Sequence, residues 1–225
     1  MLAEANTLSE ATSKILQAIC EGLEWDVGAI WCVDEQAHVL RCLDLWQAPG
    51  IQVKPFEEFS WQTTFPYGVG LPGRIWANGR PTWIEDVTQD ANFSRGPIAA
   101  LVGLHSALAF PIKLNAQILG VFEFFSLDIR QPDDDLLEML GSIGSQIGQF
   151  TERKQAQQAL RLAYDMIDAI LVSLPYAILI IDQGERIVYA NPPASQHFWP
   201  EHSTLAGSAL QDVLPLSPLQ WKRLV

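Results

Sequence analysis

The sequence predicts an α+β chain: an antiparallel sheet with helices on its faces, a long connecting helix, and a short αβ segment that stops before a second sheet is complete. Three observations carry this reading. Two β-rich stretches, 27–46 and 106–127, each fold back about a polar turn. Between them lie short helical patterns and loops, not the long crossovers that a parallel sheet requires. From Asp133 the pattern turns helical and meets no strong breaker until Leu174.

The elements follow in order. Leu8, Ile15, Ile19 and Leu23 fall at roughly helical spacing, with Thr7 or Ser9 as the cap. Val27 to Val33 and Val39 to Trp46 form a hairpin around the turn at Asp34 to Ala37. A register symmetric about Ala37 would make Cys32 and Cys42 neighbours across the ladder. Residues 49–67 show few periods, with Phe56 and Phe59 anchoring one helical turn. A turn and short helix span 68–79, a short strand 81–87, a polar loop 88–96 and a short helix 97–104. Strands over 106–113 and 117–127 meet at Asn115-Ala116. Asp133 is a good N-cap for the long helix, and nearby carboxylates suit its positive end. After Pro175 come two strands, 177–182 and 186–190, and Asn191-Pro192-Pro193 opens another helix.

Composition narrows the function. The 225 residues are 48% hydrophobic and 18% charged, enough to bury a core. The net charge is −12, from 14 Lys+Arg against 26 Asp+Glu, and no basic cluster offsets it. Such a surface repels nucleic acid and anionic lipid, so neither is an expected partner. Met1 to Glu10 lacks the basic and apolar regions of a signal peptide. The longest apolar run, 169–181, is interrupted by Pro175 and falls short of the roughly 20 residues of a membrane helix. The expectation is a cytoplasmic chain with no membrane insertion. Cys20, Cys32 and Cys42 contain no C-x-x-C pair and read as reduced core thiols.

Catalytic motifs find little support. Gly68-Val69-Gly70-Leu71-Pro72-Gly73 matches G-x-G-x-x-G, but no buried strand precedes it and no βαβ unit follows. The glycines read as the turn into a short helix. His38, His105, His197 and His202 sit in no metalloprotease helix motif, and no G-x-S-x-G elbow exists. The sequence assigns no catalytic residue and no metal site.

Four segments in order carry a resemblance. They are Gly70-Leu71-Pro72-Gly73-Arg74-Ile75-Trp76, Arg80 to Val87, Ser106 to Ile112 with Gly120 to Ser126, and Phe150-Thr151-Glu152-Arg153-Lys154. On these, residues 8–153 resemble a GAF domain of bacterial sensor proteins. Leu174-Pro175-Tyr176-Ala177-Ile178, Asp182, Val188-Tyr189-Ala190-Asn191-Pro192, Gly207 and Leu210-Gln211-Asp212-Val213 resemble the opening of a PAS domain. The implied division is a GAF-like sensor domain over 8–153, a helical linker over 154–174 whose helix begins near 133, and an incomplete PAS-like domain over 175–225. The later PAS strands have no counterpart, so the expectation is a fragment or an early-terminated product, with sheet edges unpaired.

The resemblance implies a sensory input module, non-catalytic in itself, above all of a histidine kinase. The alternatives are the input of a diguanylate cyclase or other effector, a ligand-free dimerisation module, and a free methionine sulfoxide reductase. That enzyme shares the GAF fold, but its pocket-loop cysteines are missing here, since 82–104 holds none. In GAF-like folds an irregular segment covers one sheet face. A small-molecule ligand is therefore expected between the sheet and residues 70–104, lined by Trp83, Asp86, Phe93, Ser94, Arg95 and His105. Arg95 would pair an anionic group and Phe93 would give an apolar wall. A filled core, with Asp86 capping a turn, is the competing expectation. Matching Gly103 and Pro111-Ile112 to phytochrome-like GAF domains puts Ser94 and Arg95 where a Cys-His pair would stand. The resemblance thus implies no covalent bilin, and it leaves the cofactor unknown.

The long helix carries two apolar stripes out of phase. Leu136, Leu140, Ile143, Ile147 and Phe150 form one; Ala156, Leu160, Ala163, Ile167, Ile170 and Leu174 form the other. They predict a parallel homodimer with this helix as the output element toward a downstream kinase or effector. The competing arrangement seats the first stripe on the chain's own sheet and leaves only the second for a partner.

Overall fold

The computed structural model describes residues 14–198 and 205–214, so Thr7, Leu8, Ser9 and His202 lie outside the described residues. Two compact units divide the chain, Met1–Ala156 and Gln157–Val225.

The first unit is built on a six-stranded antiparallel sheet whose strands lie in the order β3 (Thr64–Pro66), β2 (Val39–Gln47), β1 (Val27–Asp34), β6 (Gln117–Ser126), β5 (Ser106–Leu114) and β4 (Thr82–Ile84). Its centre is the two hairpins read from the sequence: β1 with β2, and β5 with β6. Pairing of β1 with β6 joins them. The edges, β3 and β4, are short, which limits exposed backbone. The helices are α1 (residues 14–23), α2 (Lys54–Gln62), α3 (Gly70–Asn78), α4 (Gly96–Val102) and α5 (Asp134–Ser173).

Strand alternation sorts two cores onto the two sheet faces. Val27, Trp31, Leu40, Ala109, Val121 and Phe125 face α2, α3 and α4, where Phe56, Leu71, Ile75 and Ala99 meet them. Ile30, Leu108, Phe110, Phe122 and Phe124 face the other way, toward Leu16 and Cys20 of α1 and Leu140 and Ile147 of α5.

The expected neighbouring of Cys32 and Cys42 is corrected by the register. Asp34 pairs with Val39, Cys32 with Arg41 and Trp31 with Cys42. The loop has an even number of residues, Glu35 to His38, so the pairs centre between Gln36 and Ala37. The two cysteines are therefore one step out and leave opposite faces of the sheet. Asp34 fixes this loop: its Oδ1 accepts from the backbone N–H of Gln36 and of Ala37, both at 3.1 Å.

Asp133 caps α5, its Oδ1 accepting from Leu136 N–H at 2.9 Å. The first half of α5 lies directly on β5. A Cβ on Gly144 would stand 2.1 Å from Pro111 O, and one on Gly148 would stand 1.9 Å from Lys113 O. Leu136, Leu140, Ile143 and Ile147 are thereby taken by the chain's own sheet, while Phe150 stays exposed.

The second unit pairs β7 (Leu179–Ile181) with β8 (Ile187–Ala190), followed by α6 (Pro192–Phe198) and α7 (Leu210–Val213). Ile187, Leu205 and Val213 form its small core. Asn191 is fully buried, with all four side-chain bonds made among neighbours. Its Oδ1 accepts from Ile178 N–H at 2.8 Å and Ala194 N–H at 3.1 Å. Its Nδ2 donates to Leu171 O at 3.0 Å and Tyr176 O at 2.8 Å. One amide thus ties the end of α5 to the turn after it, the hairpin and the start of α6.

Candidate functional site

The site begins with an acid in an apolar strand. Glu123 stands in β6 between Phe122 and Phe124, and its partners on the two adjoining strands are Ala29 and Ala109. Two small side chains leave room above the carboxylate on the face that α2 and α4 cover. Arg95, from the loop just before α4, fills that room. Its Nη2 donates to both Glu123 oxygens, at 2.7 and 2.6 Å, and its Nη1 donates to Ser60 Oγ at 3.2 Å. Trp31 Nε1 donates to Glu123 Oε2 at 2.6 Å. The arginine is 1% exposed and the glutamate 0%.

Five aromatic rings surround the guanidinium. The Arg95 Cζ lies 4.9 Å from the ring centre of Phe56, 5.1 Å from Phe65, and 5.2 Å from each of Trp31, Phe93 and Phe125. Dehydrating two charges costs several kcal/mol per ion, which only close pairing and further hydrogen bonds offset. The ring faces add about 0.5–2 kcal/mol each where they contact a desolvated cation. Burial pushes the Glu123 carboxyl above the ordinary glutamate value, against the pull of Arg95 and the Trp31 indole N–H.

The segment carrying Arg95 is tied down by polar bonds nearer the surface. Asp86 Oδ1 accepts from Thr88 Oγ1 at 2.7 Å and Thr88 N–H at 3.0 Å, and lies 3.3 Å from His105 Nδ1. The Thr88 hydroxyl first, and His105 after it, hold the Asp86 carboxyl below the usual aspartate value. Arg74 donates to Asp90 Oδ2 from both terminal nitrogens at 3.0 Å. Asn92 accepts from Gly70 N–H at 3.1 Å and donates to Gly68 O at 3.3 Å. The glycine run serves close packing: Gly70 has φ +67°, and a Cβ there would lie 2.6 Å from the Phe65 ring. A Cβ on Gly73 would lie 2.3 Å from Pro66 O.

Of the residues marked from sequence, Phe93 and Arg95 share the cage. Asp86 and His105 meet each other where the segment leaves the sheet. Ser94 is exposed, on the loop between Phe93 and Arg95. Trp83 packs on the opposite sheet face, edge-on to Trp25 at 5.3 Å, with its indole N–H donating to Arg130 O at 3.1 Å. The sequence reading missed Trp31, Phe56, Ser60, Phe65, Glu123 and Phe125. One signal was there to be used: a lone glutamate inside Val121-Phe122-Glu123-Phe124-Phe125.

Cys20 and Cys42 are poorly set for nucleophilic chemistry. Burial pushes the Cys20 and Cys42 thiols up to about 12. At pH 8 the thiolate fraction is then about one in ten thousand. Alkylation of these two by iodoacetamide at pH 8 is expected to be at least about a hundredfold slower in the native chain than in denaturant. Peptide mass spectrometry of timed samples checks this, and native labelling at the denatured rate contradicts it.

The GAF domain family model matches residues 5–152, and a PAS domain model matches residues 165–224. No curated protein matches the chain. Among solved structures, the GAF domain of a phosphoenolpyruvate-protein phosphotransferase from Coxiella burnetii is 16% identical, with TM-score 0.55, covering 68% of this chain and 86% of that one. A free methionine-R-sulfoxide reductase from Neisseria meningitidis is 21% identical, with TM-score 0.53, over 66% of this chain and 81% of that one. A domain assigned to a two-component sensor histidine kinase protein of Sinorhizobium meliloti is 23% identical, with TM-score 0.51, over 68% and 95%. At such identities the likeness is one of fold.

Proposed function

This chain belongs to the GAF domain family, and from that premise we propose that it is the input module of a bacterial sensor histidine kinase, with α5 as its output element. The GAF and PAS matches make it a signalling input module, and we infer that it works as a cytoplasmic dimer joined to a kinase. An effector of another kind, such as a diguanylate cyclase, would use the same module in the same way. The module itself has no catalytic role on this reading, and purified chain is expected to show no autophosphorylation with ATP. Among the described residues no helix is long and apolar enough to cross a membrane.

The observation that supports this reading most is the division of α5. Its first half is seated on the sheet by Leu140, Gly144, Ile147 and Gly148, all buried. Every residue from 156 to 170 is exposed, and Ala156, Leu160, Ala163, Ile167 and Ile170 run along it as an apolar stripe. Ile167 is 55% exposed and Ile170 50%. A second copy of the chain is the occupant this stripe fits, in a parallel coiled coil. The candidate ligand face and α5 share one wall. Glu123 points to the cage from β6, while Phe122 and Phe124 on the same strand pack in the core that holds Leu140 and Ile147. A change at Asp86, Phe93, Ser94, Arg95 or His105 thus has a route to the helix through β6, with Trp83 on the helix side of the sheet.

Sedimentation tests the reading. The chain is expected to be a dimer at tens of micromolar, and Ile167→Asp with Ile170→Asp is expected to weaken that dimer at least about tenfold, because carboxylates at a seam lose their hydration. A monomeric parent chain, or an unchanged dimer in the double variant, contradicts it.

A further inference from the structure

We propose that the space over Glu123 is a binding site for a guanidinium or small substituted ammonium group, and that Arg95 is a tethered occupant in competition with a free cation of that class. This deepens the input-module reading by naming what the GAF unit detects, and it rests on that reading only for its consequence at α5.

The chemistry of the walls sets the class of ligand. The floor is one carboxylate, fully buried, whose flanking cross-strand residues are the alanines at 29 and 109. The sides are five aromatic rings whose centres lie 4.9–5.2 Å from the Arg95 Cζ. Ring faces carry negative potential, so this enclosure attracts a cation and rejects an anion. Ser60 Oγ, at 3.2 Å from Nη1, adds an acceptor for a second N–H. Stability alone does not call for such a pair in an aromatic core, where apolar residues of similar volume serve as well or better.

The occupant and most of its cage come from different parts of the chain. Arg95 closes a loop held by polar bonds of part-buried or exposed groups, Arg74 to Asp90 and Asn92 to Gly68 and Gly70, and by the buried side chains of Val87 and Phe93. The cage residues come instead from β1, α2, β3 and β6, and from Phe93 on the loop itself. Withdrawal of Arg95 with its loop leaves four rings, the carboxylate and the serine in place. A free guanidinium then satisfies the same acceptors.

The test uses methylguanidinium chloride on the full chain, with sodium chloride at equal ionic strength as control. Arg95→Ala is expected to melt below the parent chain and to be stabilised saturably, its folded-to-unfolded ratio rising about 100-fold at a hundred-fold excess over the dissociation constant. Adding Glu123→Gln to Arg95→Ala is expected to remove that response. If Arg95→Ala does not fold, Arg95→Lys takes its place: an ammonium is a poorer match for this site, so methylguanidinium is expected to bind Arg95→Lys at least about tenfold more tightly than it binds the parent chain. No saturable response in the folded variant, or an equal response after Glu123→Gln, overturns the proposal. Dimer strength in the same samples separates the two readings. Binding with an unchanged dimer contradicts signalling from this site to α5 and leaves the cation site standing. Absence of binding overturns the site and leaves the input-module reading standing.

Discussion

Replacing Glu123 with alanine is expected to lower the unfolding free energy of the first unit by about 3–5 kcal/mol, the cost of leaving one member of a buried ion pair alone. Arg95 would remain within its five rings and beside Ser60, but with no anion. Ring contacts of about 0.5–2 kcal/mol each soften that loss without removing it, because a guanidinium cannot shed its charge. Urea unfolding followed by tryptophan fluorescence measures the change, and a loss under about 1 kcal/mol contradicts the account.

The reciprocal variant differs in its pH dependence. In Arg95→Ala the carboxyl can take up a proton, and burial already pushes it above the ordinary value in the parent chain. An acid whose folded value lies above its unfolded one, near 4.3, binds a proton on folding in the interval between them. Stability in that interval therefore rises as pH falls. Arg95→Ala is expected to be more stable at pH 5 than at pH 8, with no such gain in Glu123→Ala. Asp86 acts in the opposite sense: its lowered value gives stability that is lost only as pH falls below the ordinary aspartate range near 3.9, outside this window.

Gly148→Ala is the second large effect expected. In an open helix the change would gain about 1 kcal/mol of propensity. Here the new methyl would stand 1.9 Å from Lys113 O, so α5 must lift from β5. Overpacking of this kind costs about 1–3 kcal/mol, and rigid backbone on both sides puts this site at or above the upper end. Gly144→Ala, 2.1 Å from Pro111 O, is expected to behave alike. Gly22, in α1 with nothing within 4 Å of a Cβ, supplies the control: Gly22→Ala is expected to stabilise by up to about 1 kcal/mol. Thermal melts of the three variants decide, and stabilisation by Gly148→Ala contradicts the seating of α5 on β5.

Local patterns were the legible part of the sequence. Both hairpins and α5 were read within one or two residues because alternation, polar turns and the Asp133 cap are short-range signals. The strand β3 went unread, since three residues with one buried side chain, Phe65, carry no period. A register symmetric about Ala37 fails for Cys32 and Cys42 because the turn holds an even number of residues, Glu35 to His38, a count that alternation alone does not set. An apolar stripe cannot say what covers it, so Leu136 to Ile147 read equally as a dimer seam or a sheet contact. The cage was hidden for a different reason. Residues 31, 56, 60, 65, 93, 95, 123 and 125 come together only through the tertiary fold, and resemblance directed Arg95 to an outside anion where the fold gives it Glu123.

Whether Arg95 and Glu123 act as one unit within the aromatic cage is decided by a double-mutant cycle. Stabilities of the parent chain, Arg95→Met, Glu123→Leu and the chain carrying both changes are measured by urea unfolding at pH 7. A coupling of at least about 2 kcal/mol is expected, with the double variant more stable than either single one because apolar residues then replace the whole pair. Single effects that simply add, within about 0.5 kcal/mol, would contradict it.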